Sequence, residues 1–465
     1  MALIFIEFIM IFKIAMSIIL FLPVFTNFNN RFDSTEFKDE AEFLDTLQYR
    51  SFLFFVNEIN EELGLVKDRN ADWSPASIAS MGFAIPVWAI GAEKGWINRD
   101  YSVKLTLNML KFLTNSLKGT GKSATGYKGL FYHFLDIKNG TRTWDCELST
   151  IDSGLLFAGL IFARQYYNRE DSSEVLIRSL SNKIFEGIDW NYFIIPKESE
   201  KHANSLSMGW FPETGLINHG WVGYNEALIL YIIAAGSGLN EIDRVYNSWL
   251  NGYRWKQTYE GIEPHFVFPP MFGHQYSHLF VDFRGIYDSK NLEKGIDYFE
   301  NSRRAVISQQ RYSIENIHGW KGYDSLTWGI TACDGPGETF NFDDKKFLGY
   351  AGRGAAGPEL GDNYFDDGTI APTAAAGSIP FAPEICIPTL INMYKVYGKR
   401  GLWGKYGFVD SFNPTLNWFN SEYIGIDQGP IVLMIENYRN DFVWKFVMKD
   451  PIIINGLKNL NFKEM

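Results

Sequence analysis

The amino-acid sequence predicts an all-α fold: a closed helical barrel with loop and β-hairpin insertions around a cleft at one end. Three observations carry this expectation. Apolar residues recur at helical spacing in roughly ten to twelve segments. Segments rich in small residues alternate with charged, amphipathic ones, as inner and outer helices of a closed ring would. Long runs of alternating strand pattern are missing, and the connecting loops are rich in Gly, Trp and acids. No fixed-period repeat marks the units, so the ring is inferred from the alternation alone.

Taken in order, the chain begins with an almost wholly apolar stretch, Ala2 to Phe25, interrupted by Glu7, Lys13 and Ser17. Read from Met10, it has a short charged region followed by the apolar run Ile14–Phe25, the pattern of a signal peptide. It is also long enough to serve as an uncleaved membrane anchor. Residues 1–26 are therefore expected to direct export, to the periplasm, the outside, or the outer side of a membrane. Residues 27–39 read as a polar linker, and 40–465 as one domain, since no composition break divides them.

Phe43, Leu47, Phe52, Phe55, Val56 and Ile59 share a helical face, with acids opposite. Ser74-Pro75 looks like an N-cap and first-turn proline opening a small-residue inner helix that runs to Gly91. Tyr101–Leu117 is amphipathic. From Gly129 to Arg142 the pattern is extended, with a hairpin turn expected at Asn139-Gly140. Helices follow at Thr150–Tyr167, Ser172–Phe185, Tyr224–Ala235, Leu239–Gly252, Asp297–Tyr312, Ile385–Tyr397 and Gly425–Asp441.

Composition narrows the function. The chain has 465 residues, 46% of them hydrophobic, and a formal net charge of −11. No Lys/Arg run tracks a groove, so a nucleic-acid partner is not expected. An acidic surface disfavours anionic substrates and is indifferent to uncharged sugars. The 14 Trp and 24 Tyr suit sugar stacking as well as core packing. Cys146, Cys333 and Cys386 are odd in number and widely spaced, matching neither a disulfide framework nor a metal site.

The chemistry gathers in a few stretches. In Arg142–Gly159, Asp145, Glu147 and Asp152 stand beside Arg142 and Trp144, ahead of an apolar helix. Ser149-x-x-Asp152 has the spacing of a capping box, so Asp152 is expected to share a capping role with any catalytic one. In Trp210–Glu226, Glu226 opens the apolar run Ala227–Ala235, with Trp221 and Tyr224 nearby. The helix end would stabilise its anion, while burial would raise its pKa; a general acid needs burial to win. His274, His278 and Asp282 would share a face if helical, but Gln275 stands where a zinc protease has Glu. Sugar binding by His274, Gln275, His278, Asp282 and Arg284 is the favoured reading, with no metal or cofactor. Asp136, Trp328, Asp334 and Glu384 complete the candidate cleft liners. Gly352–Gly357 is glycine-rich but lacks the strand–helix context of a phosphate loop.

Nine of these segments together resemble the bacterial glucoamylase-like family, which includes the endo-β-1,2-glucanases of glycoside hydrolase family 144 and a domain of cyclic β-1,2-glucan synthases. They are Ser77-Ile-Ala-Ser-Met-Gly-Phe, Phe131-Tyr-His-Phe-Leu-Asp, Glu147-Leu-Ser-Thr-Ile-Asp, Gly223-Tyr-Asn-Glu and Phe272-Gly-His-Gln-Tyr-Ser-His with Asp282-Phe-Arg. Tyr298-Phe-Glu-Asn-Ser-Arg-Arg-Ala, Trp328-Gly-Ile-Thr-Ala, Ile370-Ala-Pro-Thr-Ala-Ala with Ser378-Ile, and Ile426-Asp-Gln-Gly-Pro follow in family order. Departures are Ser153-Gly154, where Thr-Ala is usual, and Cys146 before the Glu. The resemblance implies an (α/α)6 barrel and inverting hydrolysis of a β-glucan, most simply β-1,2-linked. The chain is expected to act as a monomer on an oligo- or polysaccharide. Glu147 and Glu226 match the family's cleft acids.

The expected mechanism pairs Glu226 as acid with Glu147 or Asp152 as base, the roles being exchangeable. An inverting pair would stand roughly 6.5–9.5 Å apart. A lyase or phosphorylase on the same barrel, or a non-catalytic glycan-binding protein of an uptake system, are the alternatives.

Overall fold

The computed structural model describes residues 36–358 and 365–465. The expected leader or anchor lies outside the described residues, and so does most of the linker. Among the described residues, no helix is long and apolar enough to cross a membrane.

Helices dominate, and they fall into the two classes anticipated. In Ile78–Glu93 every residue from Ile78 to Gly91 is buried. Leu228–Gly236 is buried from Leu228 to Ala235, and Gly425–Asn440 from Asp427 to Asn437. Ser172–Glu186, by contrast, buries only Glu174, Ile177, Ser181, Ile184 and Phe185, a single stripe. The buried helices neighbour one another in sequence. Gly425–Asn440 packs on Ile78–Glu93, which packs on Thr150–Tyr166, which packs on Leu228–Gly236. Glu40–Asn57, Arg99–Asn115 and Ser172–Glu186 cover them from outside.

Small residues set how closely these helices approach. A methyl on Gly82 would lie 2.4 Å from the Leu155 carbonyl oxygen, and one on Gly159 would lie 2.2 Å from that of Gly82. The two backbones therefore touch directly. Gly236 and Gly456 do the same where Leu228–Gly236 meets Pro451–Asn459.

Strands are two or three residues long, and several tie down the mouths of buried helices. Ala76–Ser77, just ahead of Ile78, pairs antiparallel with Phe134–Leu135. Leu148–Ser149, just ahead of Thr150, pairs with Gly209–Trp210. Arg69 bridges to Ile424, just ahead of Gly425.

The structure corrects some expected boundaries. Ser77, not Ser74, caps the first buried helix, accepting from the Ser80 N–H, because Ala76–Ser77 is drawn into the strand pair. The expected Tyr224–Ala235 helix starts only at Leu228. A hairpin does turn at Gly140 (φ +73°), closed by pairing of Leu135 with Arg142, but Leu130–Phe131 turns back separately on Gly126–Tyr127. His274 and His278 lie on two short 3-10 turns, Met271–His274 and Ser277–Leu279, not on one helix. The three cysteines are free and buried.

Candidate active site

The carboxylates singled out by the sequence stand at the N-terminal mouths of the buried helices. Glu147 lies three residues before Thr150–Tyr166, and Asp152 lies in its first turn. Glu226 lies two residues before Leu228–Gly236. Helix mouths offer a positive end and free N–H groups, so they are natural places to hold acids.

On the first wall, His133 joins two of them. Its Nδ1 is 2.8 Å from Glu147 Oε1, and its Nε2 is 3.6 Å from Asp152 Oδ2. Burial disfavours the imidazolium, but Asp152, Glu147 and Asp68 outweigh it and hold the His133 pKa at about 9. Burial likewise opposes the Glu147 anion, yet the His133 bond and charge keep its pKa below the usual value. Glu147 is therefore ionised and half-open to solvent. Ser149, not Asp152, caps the helix: its Oγ accepts from the Asp152 N–H, and its hydroxyl donates to the Asp152 carboxylate. That frees Asp152 from the N–H groups expected to hold it.

Glu226 is the opposite case. It is 8% exposed, and its Oε2 has no hydrogen-bond partner among the described residues. Burial, with a smaller push from Asp152, raises its pKa to about 7. A carboxyl in this state keeps its proton near neutral pH and has no internal acceptor for it. The Ser277 hydroxyl fixes its backbone carbonyl at 2.8 Å.

A second wall was not assembled from the sequence. Asp427 sits in the first turn of Gly425–Asn440. Neither its Oδ2 nor Asp410 Oδ1 has a donor among the described residues, and the two carboxyls stand close enough to perturb each other. Burial and the Asp334 charge push Asp410 up to about 6, while burial and the Asp410 charge raise Asp427 well above its ordinary value. Asp410 Oδ2 is held by Ser411, Asn420 and the Asp334 N–H. Outside this pair, Arg69 bridges Asp68, Asp334 and Glu422 at 3.1, 2.9 and 2.7 Å. Tyr276 links the walls: after burial, its hydroxyl pKa is raised by the nearby charges of Asp427, Glu226 and Asp152. Tyr350 is 67% exposed and stands near enough to Cys333, Asp410, Asp334 and Asp427 to feel their charges.

Comparison with known proteins follows this geometry. Residues 218–451, just over half of the chain, match the model of the family described as "Putative glucoamylase". A solved structure from Bacteroides uniformis, given the same description, is 32% identical with a TM-score of 0.79, covering 92% of this chain and 99% of its own. The chain belongs to this glucoamylase family. The endo-β-1,2-glucanase of Chitinophaga pinensis, solved with sophorotriose and glucose, is 25% identical with a TM-score of 0.76, over 92% of this chain and 99% of its own. An exo β-1,2-glucooligosaccharide sophorohydrolase of Parabacteroides distasonis is 28% identical over 453 residues, 90% of this chain. This chain spans 58% of that relative's length.

In this glucoamylase-family chain, many predicted sugar-binding residues are committed to the scaffold. His274, Gln275, His278 and Trp328 are 1%, 1%, 1% and 0% exposed. Gln275 donates to the Ala374 carbonyl and Ser378, Trp328 to Thr389, and His278 meets Ser302. Burial holds the pKa of His278 down at about 3 and that of His274 well below its ordinary value. Trp221 donates to Thr150, and Tyr224 meets Ser302, so both brace the Glu226 segment from within. Arg142 is buried, donating to the Cys146 and Asp145 carbonyls and pairing with Glu213. Asp136 closes its own turn on the Lys138 and Asn139 N–H groups. Arg284 pairs with both Asp282 and Asp441, its guanidinium over Trp444. Glu384 pairs with Arg303 at 2.6 Å. Trp144 is 56% exposed.

The rule that singled out Glu147 and Glu226, an acid at the mouth of an apolar helix, also describes Asp427 in Ile426-Asp-Gln-Gly-Pro. Asp410, Asp68, Arg69 and His133 carry no such mark; only the fold brings them in.

Proposed function

We propose that this protein is a glycoside hydrolase that cleaves β-1,2-glucan or its oligosaccharides by inversion, with Glu226 as general acid. The observation that carries this is the Glu226 carboxyl: buried, with its Oε2 unpartnered, its pKa raised to about 7, and set at a helix mouth near enough to Asp152 to feel its charge. The β-1,2-glucan specificity is supported by the Chitinophaga and Parabacteroides relatives. We read the alternation of buried and covering helices as an (α/α)6 barrel, and residues 40–465 as its one catalytic domain. The apolar run Ile14–Phe25 supports export.

In this mechanism, Glu226 gives its proton to the glycosidic oxygen as the bond to the anomeric carbon breaks. An ionised carboxylate on the opposite side takes a proton from water, whose oxygen forms the new bond with inverted configuration. Glu147 fits the base role because His133 holds it charged. The Asp410–Asp427 pair competes for that role, since burial and the Asp334 charge raise the proton affinity of Asp410 to a pKa of about 6.

Amide variants separate the two. An inverting enzyme lacking its base is restored by an external nucleophile that needs no deprotonation. Sodium azide should restore turnover, as an α-glycosyl azide, to Glu147→Gln or to Asp427→Asn, and not to Glu226→Gln. Near wild-type activity in both Glu147→Gln and Glu226→Gln would overturn the assignment.

A further inference from the structure

We infer that Trp73 and Trp144 form an outer glucosyl-binding platform, where a sugar chain leaving the proposed cleft rests on two indole faces. This rests on the β-glucan reading above and adds to it a site remote from the scissile bond, with a residue, Trp73, outside every candidate set.

The two indoles come from different loops and meet in solvent. Trp73 is 60% exposed and Trp144 56%. Their ring centroids are 5.9 Å apart with planes at 41°, making a shallow open seat. Isolated exposed aromatics are ordinary, but two large rings brought side by side leave a joint apolar face that water covers poorly.

Both rings are held in place. Trp144 sits at φ +56° and Asp145 at φ +46°, left-handed conformations that side chains rarely adopt. The buried Arg142 guanidinium enforces that turn by binding the Asp145 and Cys146 carbonyls. Trp73 is carried by a turn in which the Ser74 N–H bonds the Ala71 carbonyl and the Arg69 N–H bonds Ser74 Oγ. Rigid aromatic faces lose little freedom on binding.

The platform is continuous with both walls of the cleft. Trp144 packs on Phe134 at 5.1 Å, Phe134 stacks on His133 at 3.9 Å, and His133 binds Glu147. Trp73 lies under the Arg69 guanidinium at 5.6 Å, and Arg69 binds Asp334. One apolar seat thus spans the two charged walls at their rim. Its chemistry suits the C–H face of a pyranose, which stacks on aromatic rings, while the flanking charges offer partners to hydroxyls. A net charge of −11 opposes an anionic ligand and is indifferent to an uncharged sugar.

The test uses the full chain carrying Glu226→Gln, titrated calorimetrically with β-1,2-glucooligosaccharides of three and ten units. Adding Trp73→Ala and Trp144→Ala should weaken binding of the ten-unit chain at least tenfold more than that of the three-unit chain, with Trp73→Phe and Trp144→Phe recovering most of the loss. Equal effects on both lengths, or none, would overturn the platform. So would sedimentation showing that the alanine variants convert a dimer to a monomer, which would make this face a contact between copies. Turnover of β-1,2-glucan by the protein with native Glu226 is measured alongside. If that turnover is present while the length dependence is absent, the platform alone fails; if no turnover occurs, the hydrolase reading fails.

Discussion

Glu226 and Glu147 show how environment gives two like residues opposite states. Glu226 has lost water and gained no charged partner, so its proton stays; Glu147 has lost water and gained His133, so its charge stays. The Glu226 shift has a consequence that needs no substrate. Its folded pKa, about 7, exceeds the ordinary 4.5, so the native state binds more protons between those values and stability falls as pH rises through them. Glu226→Gln removes that penalty. It should leave stability near wild type at pH 4 and raise it by on the order of 2–3 kcal/mol at pH 8, measured by urea unfolding at both pH values. Equal effects at the two pH values would contradict the raised pKa. His133→Gln acts on the other carboxylate: without the cation, Glu147 should ionise at higher pH, moving the acidic limb of kcat/KM upward. An unmoved limb would place the base on the Asp410–Asp427 wall. At this scale the sequence showed Glu147 and Glu226 because each stands beside an apolar run. It did not show His133, which looked like one residue of an extended hairpin until strand pairing set it between Glu147 and Asp152.

Among the elements, the buried helices place the site because their mouths are fixed by short strand pairs and their flanks by backbone contact. Gly82 and Gly159 make one such contact. Gly82→Ala or Gly159→Ala must push Ile78–Glu93 off Thr150–Tyr166, and each should destabilise the fold by about 1–3 kcal/mol, read from the midpoint of denaturant unfolding. Because these helices carry Ser77, Ser149 and Asp152 at one end, activity should fall by more than stability loss alone explains. A variant that folds and turns over as wild type would show that the contact is not what aligns the mouths. Small-residue content revealed these inner helices in the sequence. Their starts were less legible: Ser74-Pro75 has a strong capping pattern, yet pairing of Ala76–Ser77 with Phe134–Leu135 delays the helix. The sugar-binding role expected of His274, Gln275 and His278 came from polar residues in an aromatic stretch. Such residues serve equally well to satisfy buried backbone groups, as Gln275 does at Ala374.

Across the whole molecule, nine weak segments in one order identified the family before any coordinates did, while no single one of them would have. What the order of segments cannot convey is convergence: Arg69, Asp334, Asp410 and Asp427 are spread over more than three hundred residues and form one wall. The central claim is that this convergence cleaves a β-1,2-glucan with Glu226 as acid. The most direct measurement incubates wild type and Glu226→Gln with β-1,2-, β-1,3- and β-1,4-glucans and resolves the products. The account predicts new reducing ends from β-1,2-glucan with wild type, and a rate lower by about 10²–10⁴-fold with Glu226→Gln. Intact β-1,2-glucan after prolonged incubation with wild type, or equal rates for the two proteins, would contradict it.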